Sequence, residues 1–400
     1  MVRIHRKGTT SLQLPPLSGI FLTMYPPRRV AIVHEWLTSM RGGEKVVEVL
    51  CEMFPQADVY TLLHVKGSVS PVIEKMPIQT SFIQHLPFSK SRYRHYLPLF
   101  PLAIRRLVPD RYDLVISSHH SVAKGVTTGS RTLHVCYCHT PMRYIWGLFD
   151  DYFAPGKSGF ITRTGARLFR KYLQRWDVRS ASHPDVYIAN SENVRRRIQS
   201  IYGRDAEVIY PPVDVSSFRC SPTRKDYFLV AGALVPYKRV DIAIDAFNQT
   251  GERLVVAGSG PEQARLERIA QSNIEFRGQV SDGELRDLYS ECRALVFPGE
   301  EDFGIIPLEA MASGAPVIAL GKGGALETVV DGETGIFFPE QTPAALVATL
   351  ERFGGYRFDQ TQLRDHAAGF DKKIFVEKLG KTIRNHWDEF DRQDKRQNSS

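Results

Sequence analysis

Short apolar runs alternate with amphipathic stretches along most of the chain, which is the pattern of a parallel sheet with helices between its strands. In the first half, the runs that predict buried strands are Arg29–Val33, Asp58–Leu62, Asp113–Ser117, Thr132–Tyr137 and Asp185–Ala189. In the second half, they are Tyr227–Ala231, Arg253–Ala257, Ile274–Arg277, Ala294–Phe297, Pro316–Leu320 and Gly335–Phe338. Both halves therefore predict the same α/β architecture, and we expect two doubly wound parallel sheets that face each other.

Two of the intervening segments show clear helical periodicity. Gly42-Gly43 opens a helix whose apolar positions are Val46, Val47, Val49, Leu50 and Phe54. The last helix is predicted over about Asp371–Asp391, with apolar residues at helical spacing at Ile374, Phe375, Leu379, Ile383, Trp387 and Phe390.

Length and breaks in the pattern suggest the domain boundaries. Four hundred residues exceed what one hydrophobic core usually holds, so two domains are expected. The first 28 residues are basic, rich in proline and without sustained periodicity, and Met24 is an alternative start to Met1. Tyr210-Pro-Pro-Val-Asp214 predicts the link between the domains. The predicted division is a disordered tail at 1–28, a first domain at 29–210, a second at 211–372, a C-terminal helix at 373–391 and a polar tail at 392–400.

The net charge of +8 conceals a strong asymmetry between the halves. Residues 1–200 hold 28 Lys/Arg and 13 Asp/Glu, whereas residues 201–400 hold 24 and 31. Two stretches, Lys75–Pro109 and Tyr152–Trp176, contain six basic residues each and no acid. Basic amphipathic segments of this kind bind anionic membrane surfaces, although a solvated basic face explains either stretch alone. Both in one half favour membrane contact, so we expect a cytoplasmic protein on the inner face of the cytoplasmic membrane.

Other features of the composition narrow the function classes. No run of eighteen apolar residues occurs, so no transmembrane helix is predicted. The five cysteines are irregularly spaced, which favours a reducing compartment. Cys136-Tyr-Cys138-His139 lies on an apolar run without a second ligand pair, which favours strand core over a metal site. Neither zinc-finger spacing nor an RNA-binding aromatic signature accompanies the basic half, so we expect no nucleic-acid partner.

The strongest candidate for chemistry is the stretch Phe297–Leu320, in which Glu301 and Glu309 lie eight positions apart across a Phe-Gly turn. A helix start offers unpaired backbone N–H groups to an anion. Glu309 follows roughly 7–8 Å further along the helix. That arrangement suits a nucleotide sugar, whose anionic centre lies between two polyhydroxyl ends. The alternative is a buried crossover whose acids are merely solvated.

Two further clusters follow strands of the first half, where parallel strands end at the ligand crevice. They are Ser117-Ser118-His119-His120 and His139–Tyr144. Gly42-Gly43 occupies the strand-to-helix turn that cradles phosphate in other proteins, although a tight packing turn explains it equally well.

The stretch EEDFGIIPLEAMASGAPVIA resembles the Glu-x7-Glu signature of retaining glycosyltransferase family 4. Supporting motifs occur in the family's order: GGEK at 42–45, YPPVD at 210–214, GALVPYKRVD at 232–241, VAGSGPE at 256–262, FRGQVSDGEL at 276–285 and GGALETV at 323–329. The resemblance implies the GT-B fold, with two facing Rossmann-like domains and a C-terminal helix that crosses back to the first. The segments VHEWLTSMRGGEKV and CYCHTPMRYIWG are similar to a bacterial mannosyltransferase-like subgroup that builds O-antigen and exopolysaccharide units.

The resemblance also implies roles for individual residues. Glu309 would bind the ribose hydroxyls, Glu301 the transferred sugar, and Lys238 with Arg239 the pyrophosphate. The remaining donor contacts would come from backbone groups of Phe303, Gly304 and Ile305, from Gly42 and Gly43, and from Phe276, Arg277 and Gly278 near the base. His120 resembles the family's sugar-side histidine, with His119 as the competing candidate.

One departure from the family concerns the pyrophosphate. Many relatives carry arginine where this chain has Ala233, and Arg239 is the candidate substitute. The family's mechanism retains the anomeric configuration by front-face attack without a metal or another cofactor, and no Asp-x-Asp metal motif is present.

The predicted function is transfer of a hexose, best mannose from GDP-mannose, to a lipid-linked glycan in bacterial surface polysaccharide synthesis. Another donor such as UDP-glucose, or a sugar-nucleotide epimerase of the same fold, is the alternative. A phosphorylase is disfavoured because it needs a pyridoxal lysine and a longer chain. A non-catalytic protein that binds nucleic acid or another anion is the distant alternative, and it predicts steep salt dependence and no affinity for nucleotide sugars.

Overall fold

The computed structural model describes residues 29–147 and 160–397, with side chains described for 29–147 and 169–392. The predicted tail at 1–28 lies outside the described residues. The strands of the first sheet are β1 Val30–Leu37, β2 Asp58–His64, β3 Ile78–Thr80, β4 Leu114–His119, β5 Leu133–Cys138, β6 Val186–Ala189 and β7 Glu207–Val208. Those of the second are β8 Phe228–Ala231, β9 Leu254–Ala257, β10 Ile274–Gly278, β11 Leu295–Phe297, β12 Val317–Leu320 and β13 Gly335–Phe338.

The helices of the first half are α1 Gly42–Met53, α2 Pro71–Glu74, α3 Ser89–Arg92, α4 Phe100–Arg105, α5 Arg143–Trp146, α6 Phe160–Arg179 and α7 Glu192–Tyr202. Those of the second are α8 Val240–Thr250, α9 Gln263–Ile269, α10 Asp282–Glu291, α11 Ile305–Ala312, α12 Ala325–Thr328, α13 Pro343–Phe353, α14 Gln360–Ala368 and α15 Lys372–Gln397. Short 3-10 turns occur at Phe82–His85, Tyr93–Leu99, Ala123–Gly125, Ser180–Ser182, Val215–Ser217 and Pro236–Lys238. Among the described residues, no helix has both the length and the apolar character needed to span a bilayer.

The strands form two parallel sheets, which confirms the predicted fold class. The strand order is 3-2-1-4-5-6-7 in the first sheet and 10-9-8-11-12-13 in the second. Every predicted strand is present, but the short edge strands β3 and β7 were missed. Their residues are half-buried or exposed, so neither produces the apolar run that marks a strand covered on both faces.

Both faces of each sheet are covered, as parallel sheets require. In β1, Val30 and Ile32 pack beneath α1 and α15, whereas Ala31 and Val33 pack into the core on the opposite face. The strands of the second sheet alternate in the same way between two cores. Because the side chains of a strand alternate between faces, continuous apolar runs predicted these strands well.

Helix α15 crosses back to the first domain, as predicted. Phe375, Val376, Leu379 and Ile383 are buried in the core beneath β1, β4 and β5. The helix continues to Gln397, six residues beyond its predicted end at Asp391. The sequence of these six residues, RQDKRQ, consists mostly of residues with good helix propensity, which extends the helix without any apolar face. The predicted domain boundaries stay a prediction.

A buried ion pair ties the segment after β4 to the end of α6. Lys124 is fully buried, and its Nζ lies 2.9 Å from Oδ1 of Asp177. The second carboxylate oxygen of Asp177 accepts hydrogen bonds from Nε1 of Trp146 at 2.7 Å and from the hydroxyl of Tyr202 at 3.0 Å. This network joins β4, α5, α6 and α7, and its charges have no access to water.

Removal of the lysine charge should therefore destabilise the protein. We expect Lys124→Met to lower the free energy of unfolding by about 3–5 kcal/mol, because Asp177 would be left as an uncompensated buried charge. Urea unfolding at neutral pH measures this change. The matched control is Lys225→Met, since Lys225 is 64% exposed in its pair with Glu291 and should contribute less than about 1 kcal/mol. Equal losses in the two variants would contradict the prediction.

Candidate active site at the facing sheet edges

The strand order places the predicted site residues at the switch point of each sheet. The order reverses between β1 and β4 in the first sheet and between β8 and β11 in the second. Gly42-Gly43 and His120 follow β1 and β4, while Lys238 and Glu301 follow β8 and β11. Ligands of doubly wound sheets bind in the crevice that opens at such points.

The two carboxyl edges face each other across a narrow cleft. A Cβ added to Gly42 would lie 3.2 Å from Cδ1 of Ile305, so the turn before α1 approaches the start of α11. Nζ of Lys45 on α1 also lies 2.6 Å from Oε1 of Glu309 on α11. The two switch points thus form opposite walls of one site.

Lys238 and Glu301 form an ion pair within the second-domain wall. Nζ of Lys238 lies 3.0 Å from Oε1 of Glu301. Desolvation alone would lower the pKa of Lys238, but the charge of Glu301 raises it above its ordinary value. Gly232 makes room for the lysine, since its φ is +117° and an added Cβ would lie 3.0 Å from Nζ. The wall therefore presents a fixed cation beside a carboxylate.

Glu309 is 6% exposed and both of its carboxylate oxygens already accept contacts. Lys45 approaches Oε1, and the hydroxyl of Tyr289 donates to Oε2 at 3.2 Å. Burial would lower the pKa of Lys45, but the charge of Glu309 raises it. The pair borders a cavity of about 460 Å³ that both domains line. These contacts use two of the about four acceptor positions of the carboxylate, so a diol that binds Glu309 either shares it with Lys45 or displaces the lysine.

The turn that carries Glu301 is held by tightly packed backbone. Gly304 has φ +92° at the start of α11, a conformation that favours glycine. Phe303 is buried and stacks on Tyr210 with ring centroids 5.3 Å apart, so only its backbone is available to a ligand. A Cβ on Gly324 would lie 2.2 Å from Cα of Phe303, and its N–H donates to the carbonyl of Glu301 at 2.8 Å. The GGALETV motif thus supports this turn.

The segment predicted to meet the base lies at the end of β10. Gly278 has φ +62°, and its carbonyl accepts the N–H of Gly258 at 2.7 Å. Phe276 is half-buried against the core. The side chain of Arg277 is 52% exposed and pairs with Glu275 at 2.7 Å. It lines a different cavity from Glu309, so the structure does not bring Arg277 together with the other predicted donor residues.

Arg239 is also directed away from Lys238. Its backbone is left-handed, with φ +50°, and Nε lies 3.1 Å from Oδ1 of Asp241. The guanidinium borders a second interdomain cavity of about 530 Å³. The structure thus gives Arg239 a partner other than pyrophosphate, and its substitution for an arginine at Ala233 stays a prediction.

The first-domain wall contains a cluster of histidines around Glu35. His119 is fully buried, with Nδ1 3.4 Å from Oε1 of Glu35. His120 is 29% exposed, with Nδ1 2.9 Å from Oε2 of the same carboxylate. The exposure difference favours His120 over His119 as the residue that meets a ligand. Sequence reasoning did not single out Glu35, although it lies two residues beyond the predicted strand Arg29–Val33 and within the observed strand β1.

Three groups of this cluster have the donor set of a metal site. Ligand atoms of His34, Glu35 and His120 lie within 4.8 Å of one another. However, Nδ1 of His34 lies 3.1 Å from the hydroxyl of Ser118, and 2.9 Å separates Nδ1 of His120 from Oε2 of Glu35. Ligand atoms around tetrahedral zinc stand about 3.3 Å apart. The shorter spacing between His120 and Glu35 fits a direct ion pair better.

Comparison with known proteins identifies the family. Residues 40–217 match the model described as Glycosyltransferase Family 4, and residues 218–356 match Glycosyl transferases group 1. The O-antigen chain mannosyltransferase RfbU of Salmonella typhimurium is 31% identical over 297 residues, which cover 71% of this chain and 75% of that protein. The chain belongs to glycosyltransferase family 4.

Another relative and two solved structures are also glycosyltransferases or share the fold. An uncharacterized glycosyltransferase of Methanocaldococcus jannaschii is 32% identical over 212 residues, which cover 51% of this chain and 57% of that protein. Among solved structures, HepE from Anabaena in complex with UDP has a TM-score of 0.64 at 19% identity and covers 89% of this chain and 100% of that chain. Sucrose-phosphate synthase from Thermosynechococcus elongatus has a TM-score of 0.65 at 17% identity and covers 90% of this chain and 99% of that chain. At these identities, the two structures show the shared fold.

In this glycosyltransferase, a second set of residues holds the Glu301 turn from across the cleft. The carboxylate of Asp302 forms ion pairs with two arginines of the first domain. It lies 2.7 Å from Nη1 of Arg197 and 3.1 Å from Nε of Arg143. The hydroxyl of Ser191 donates to the carbonyl of Asp302 at 2.8 Å, and Arg143 donates to the carbonyl of Glu300 at 3.1 Å. We call these contacts the Asp302 clamp. Sequence reasoning missed it, since the only signal was an acid adjacent to Glu301.

A neighbouring contact ties the start of α7 to the second domain. The carboxylate of Glu327 accepts the backbone N–H of Glu192 at 2.7 Å and of Asn193 at 2.9 Å. A carboxylate at this position is stabilised by the unpaired N–H groups and the dipole of the helix start. The GGALETV motif therefore contributes an acid to the domain interface as well as glycines to the Glu301 turn.

The Asp302 clamp generates a prediction for the glycosyltransferase. We expect Asp302→Ala to slow turnover about tenfold, equivalent to about 1.4 kcal/mol of lost transition-state stabilisation, because the Glu301 turn loses its restraint. Hydrogen exchange of residues 299–304 should accelerate in the same variant. Asp205→Ala is the control, since that carboxylate is 91% exposed and 3.9 Å from Arg195. Unchanged exchange and turnover in Asp302→Ala would rule out a positioning role.

Proposed function

We propose that this glycosyltransferase moves a hexose, best mannose from GDP-mannose, to a lipid-linked glycan with retention at the anomeric carbon. The observation that carries the proposal is the Lys238–Glu301 pair at the second switch point. Glu309 lies further along α11, and the turn at Gly42-Gly43 faces the start of that helix. One cleft thus offers a cation for pyrophosphate and carboxylates for hydroxyl groups on either side of it.

In the proposed reaction, Lys238 neutralises the charge that develops on the leaving nucleoside diphosphate. A preorganised cation in a partly desolvated site stabilises such charge more effectively than water does. Glu301 turns from the lysine to the hydroxyls of the transferred sugar, and Glu309 exchanges Lys45 for the ribose diol. Backbone groups of Gly304 and Ile305 complete the donor contacts.

The remaining donor contacts fall on both walls. Gly42 and Gly43 allow close approach of the first-domain backbone to pyrophosphate. His120 reaches the sugar from the opposite side, and Phe276 and Gly278 border the base. No separate metal or other cofactor enters the proposal, because Lys238 supplies the positive charge that a metal supplies in other transferases.

Support for mannose comes from relatives. Two relatives are named as mannosyltransferases. They are RfbU and the O-antigen chain mannosyltransferase C of Escherichia coli, which is 29% identical over 201 residues. A UDP-hexose is the second candidate, since HepE has been crystallised with UDP and with UDP-glucose. Both donors share the pyrophosphate and ribose that Lys238 and Glu309 would bind.

A donor screen with purified enzyme tests the proposal. We expect release of GDP from GDP-mannose that depends on a polyprenyl-diphosphate-linked glycan. Glu301→Ala and Lys238→Ala should each lower transfer by about a hundredfold or more, because each removes a group that meets the developing charge or the sugar. Both proteins should remain folded by circular dichroism.

The exposed Lys225–Glu291 pair supplies the control, and Lys225→Ala and Glu291→Ala should transfer at the normal rate. Turnover of UDP-glucose alone would correct the donor and leave the transferase intact. Full activity in Glu301→Ala or Lys238→Ala would refute the site. Donor consumption without an acceptor, with an isomerised sugar nucleotide as product, would favour the epimerase.

We further propose that a basic apolar surface of the first domain contacts anionic membrane, where a lipid-linked acceptor resides. Phe88 is 74% exposed and Leu102 is 66% exposed. Lys90, Arg92 and Arg94 lie near Phe88 in the chain, within the acid-free stretch. Phe100 of the same stretch is buried, so only part of the aromatic series is available to lipid.

In the second basic stretch, side chains are described only from Phe169 to Trp176. Nε of Arg170 on α6 donates to the carbonyl of Ile145 at 2.8 Å, so this arginine braces α5. The side chain of Arg167 lies outside the described residues. Charge reversal on α6 would therefore disturb packing, and the apolar residues of the other stretch are the sharper probe.

Membrane contact is tested by co-sedimentation with vesicles that contain phosphatidylglycerol. We expect Phe88→Asp with Leu102→Asp to reduce the bound fraction about tenfold or more, since burial of each apolar side chain contributes about 1.5–3 kcal/mol. Leu326→Asp is the matched control, because Leu326 is 55% exposed on the second domain. Equal binding by the double variant and the wild type would exclude this surface.

A further inference from the structure

Glu35 lies near the end of β1, and its carboxylate is fully buried. Its Oε1 accepts hydrogen bonds from four consecutive backbone N–H groups. The donors and distances are His120 at 2.9 Å, Ser121 at 2.8 Å, Val122 at 3.1 Å and Ala123 at 3.1 Å. Converging N–H groups of this kind form a binding site for an anion. The ionised carboxylate of Glu35 therefore fixes the path of the loop after β4.

The second oxygen of the same carboxylate holds the ring of His120. Oε2 lies 2.9 Å from Nδ1 in an ion-pair contact rather than a well-aligned hydrogen bond, so Glu35 contacts both the backbone and the side chain of this residue. Trp36 packs edge-on against the ring, with centroids 4.7 Å apart and planes at 90°. Within the described part of the chain, Nε2 of His120 has no hydrogen-bond partner, and the side chain is 29% exposed. The ring is restrained at one nitrogen and available at the other.

We propose that Glu35 is the positioning residue for His120: it keeps a proton on Nδ1 and thereby presents Nε2 to the donor sugar. The role of His120 in this inference rests on the proposed function. The geometry of the Glu35–His120 pair is independent of that function. A neutral ring offers Nε2 as an acceptor to a sugar hydroxyl, and a protonated ring offers Nε2–H as a donor. In both states, the proton on Nδ1 faces the negative charge of Glu35, whose Oε2 lies 2.9 Å away.

The surrounding charges support this arrangement. Burial alone would raise the pKa of Glu35, but the charge of His120 and hydrogen bonds from His119 and His120 hold it well below its usual range. Desolvation lowers the pKa of His120, while the charge and hydrogen bond of Glu35 raise it above its ordinary value. The wild-type ring therefore stays protonated to a higher pH than a free histidine.

Other titratable groups around His120 come from four elements. They are His34 on β1, Arg41 and Glu44 at the start of α1, His119 at the end of β4, and His139 after β5. Burial, followed by the charges of His120 and His34, lowers the pKa of His139 well below its ordinary value. Glu44 adds to the attraction for the His120 charge, and Arg41 opposes it. Of His120 and His139, His120 is thus the ring that carries the charge.

The tautomer of His120 in the wild-type protein is the first test. Long-range proton–nitrogen NMR on histidine-labelled protein, assigned with His120→Gln, distinguishes the two neutral tautomers. We expect the proton on Nδ1 of His120. His64 is an internal reference, since Nε2 rather than Nδ1 lies 3.1 Å from Oε1 of Glu74, which favours the opposite tautomer. A proton on Nε2 of neutral His120 would overturn the proposal without any variant.

Glu35→Gln is the second test. The amide oxygen can still accept the four N–H groups, so the amide NH2 faces Nδ1, which must then act as an acceptor. We expect His120 to shift to the Nε2–H tautomer and to titrate at lower pH. The alkaline limb of kcat/KM should move to lower pH if the protonated ring is the active form. Normal tautomer and titration in the folded variant would overturn the proposal.

Kinetics separate positioning from a merely structural effect. We expect kcat to fall by about ten- to a hundredfold in Glu35→Gln, the scale of one hydrogen bond to a charged group. KM should change by less than about threefold, since the donor contacts on the second domain remain. Glu74→Gln, which alters a comparable glutamate–histidine pair of the same domain, should leave both constants unchanged.

The two proposals fail in different ways. If the protein transferred no sugar at all, the NMR experiments would still decide whether Glu35 sets the tautomer of His120. If transfer were normal in Glu35→Gln despite an altered tautomer, the positioning role would be refuted while the glycosyltransferase assignment stood. If Glu35→Gln does not fold, the wild-type tautomer alone decides the inference.

Discussion

The parallel direction of every strand is the constraint on which the site depends. Because all strands of a sheet point the same way, their carboxyl ends and the loops that follow them gather at one edge. Two such edges face each other here, and contacts such as Gly42 with Ile305 and Lys45 with Glu309 join them. Residues more than 250 positions apart in the chain, as Lys45 and Glu309 are, therefore become the walls of one cleft.

Each acid of the Glu-x7-Glu signature is already paired with a lysine in the cleft. Glu301 meets Lys238 and Glu309 meets Lys45, and all four side chains are at least partly removed from water. Desolvated charges of this kind are costly without a partner. Under the proposed function, pyrophosphate would take over the contact of Glu301 with Lys238, and sugar hydroxyls would take over contacts of the lysines with the acids. A ligand that lacks either feature could not replace both contacts, which is a basis for selectivity under this proposal.

The sequence predicted the fold more completely than the site, and the difference has a physical cause. Central strands such as β1 and β12 are buried on both faces and leave a continuous apolar run, whereas the half-exposed edge strands β3 and β7 leave none. Motifs located Lys238 and Glu301 because their neighbours in the chain repeat a family pattern. Glu35 and Asp302 were missed because their partners lie 85 and 105 residues away. Arg239 was oriented by its left-handed backbone and Asp241, which no periodicity reveals.

The opposite net charges of the two halves of the chain form ion pairs across the domain interface, which the sequence pattern did not predict. Lys45, Arg143 and Arg197 all belong to the basic first half, and all pair with Glu309 or Asp302 of the acidic second half. Part of the excess positive charge of the first half therefore forms ion pairs at the domain interface and is not free to contact a membrane. The side chains of Arg143 and Arg197 are only 23% and 24% exposed, so salt screens their pairs with Asp302 less than it screens fully exposed charges. Opposite net charge in the two halves thus helps to hold the facing edges in register, and the charge left over on the first domain remains available to an anionic surface.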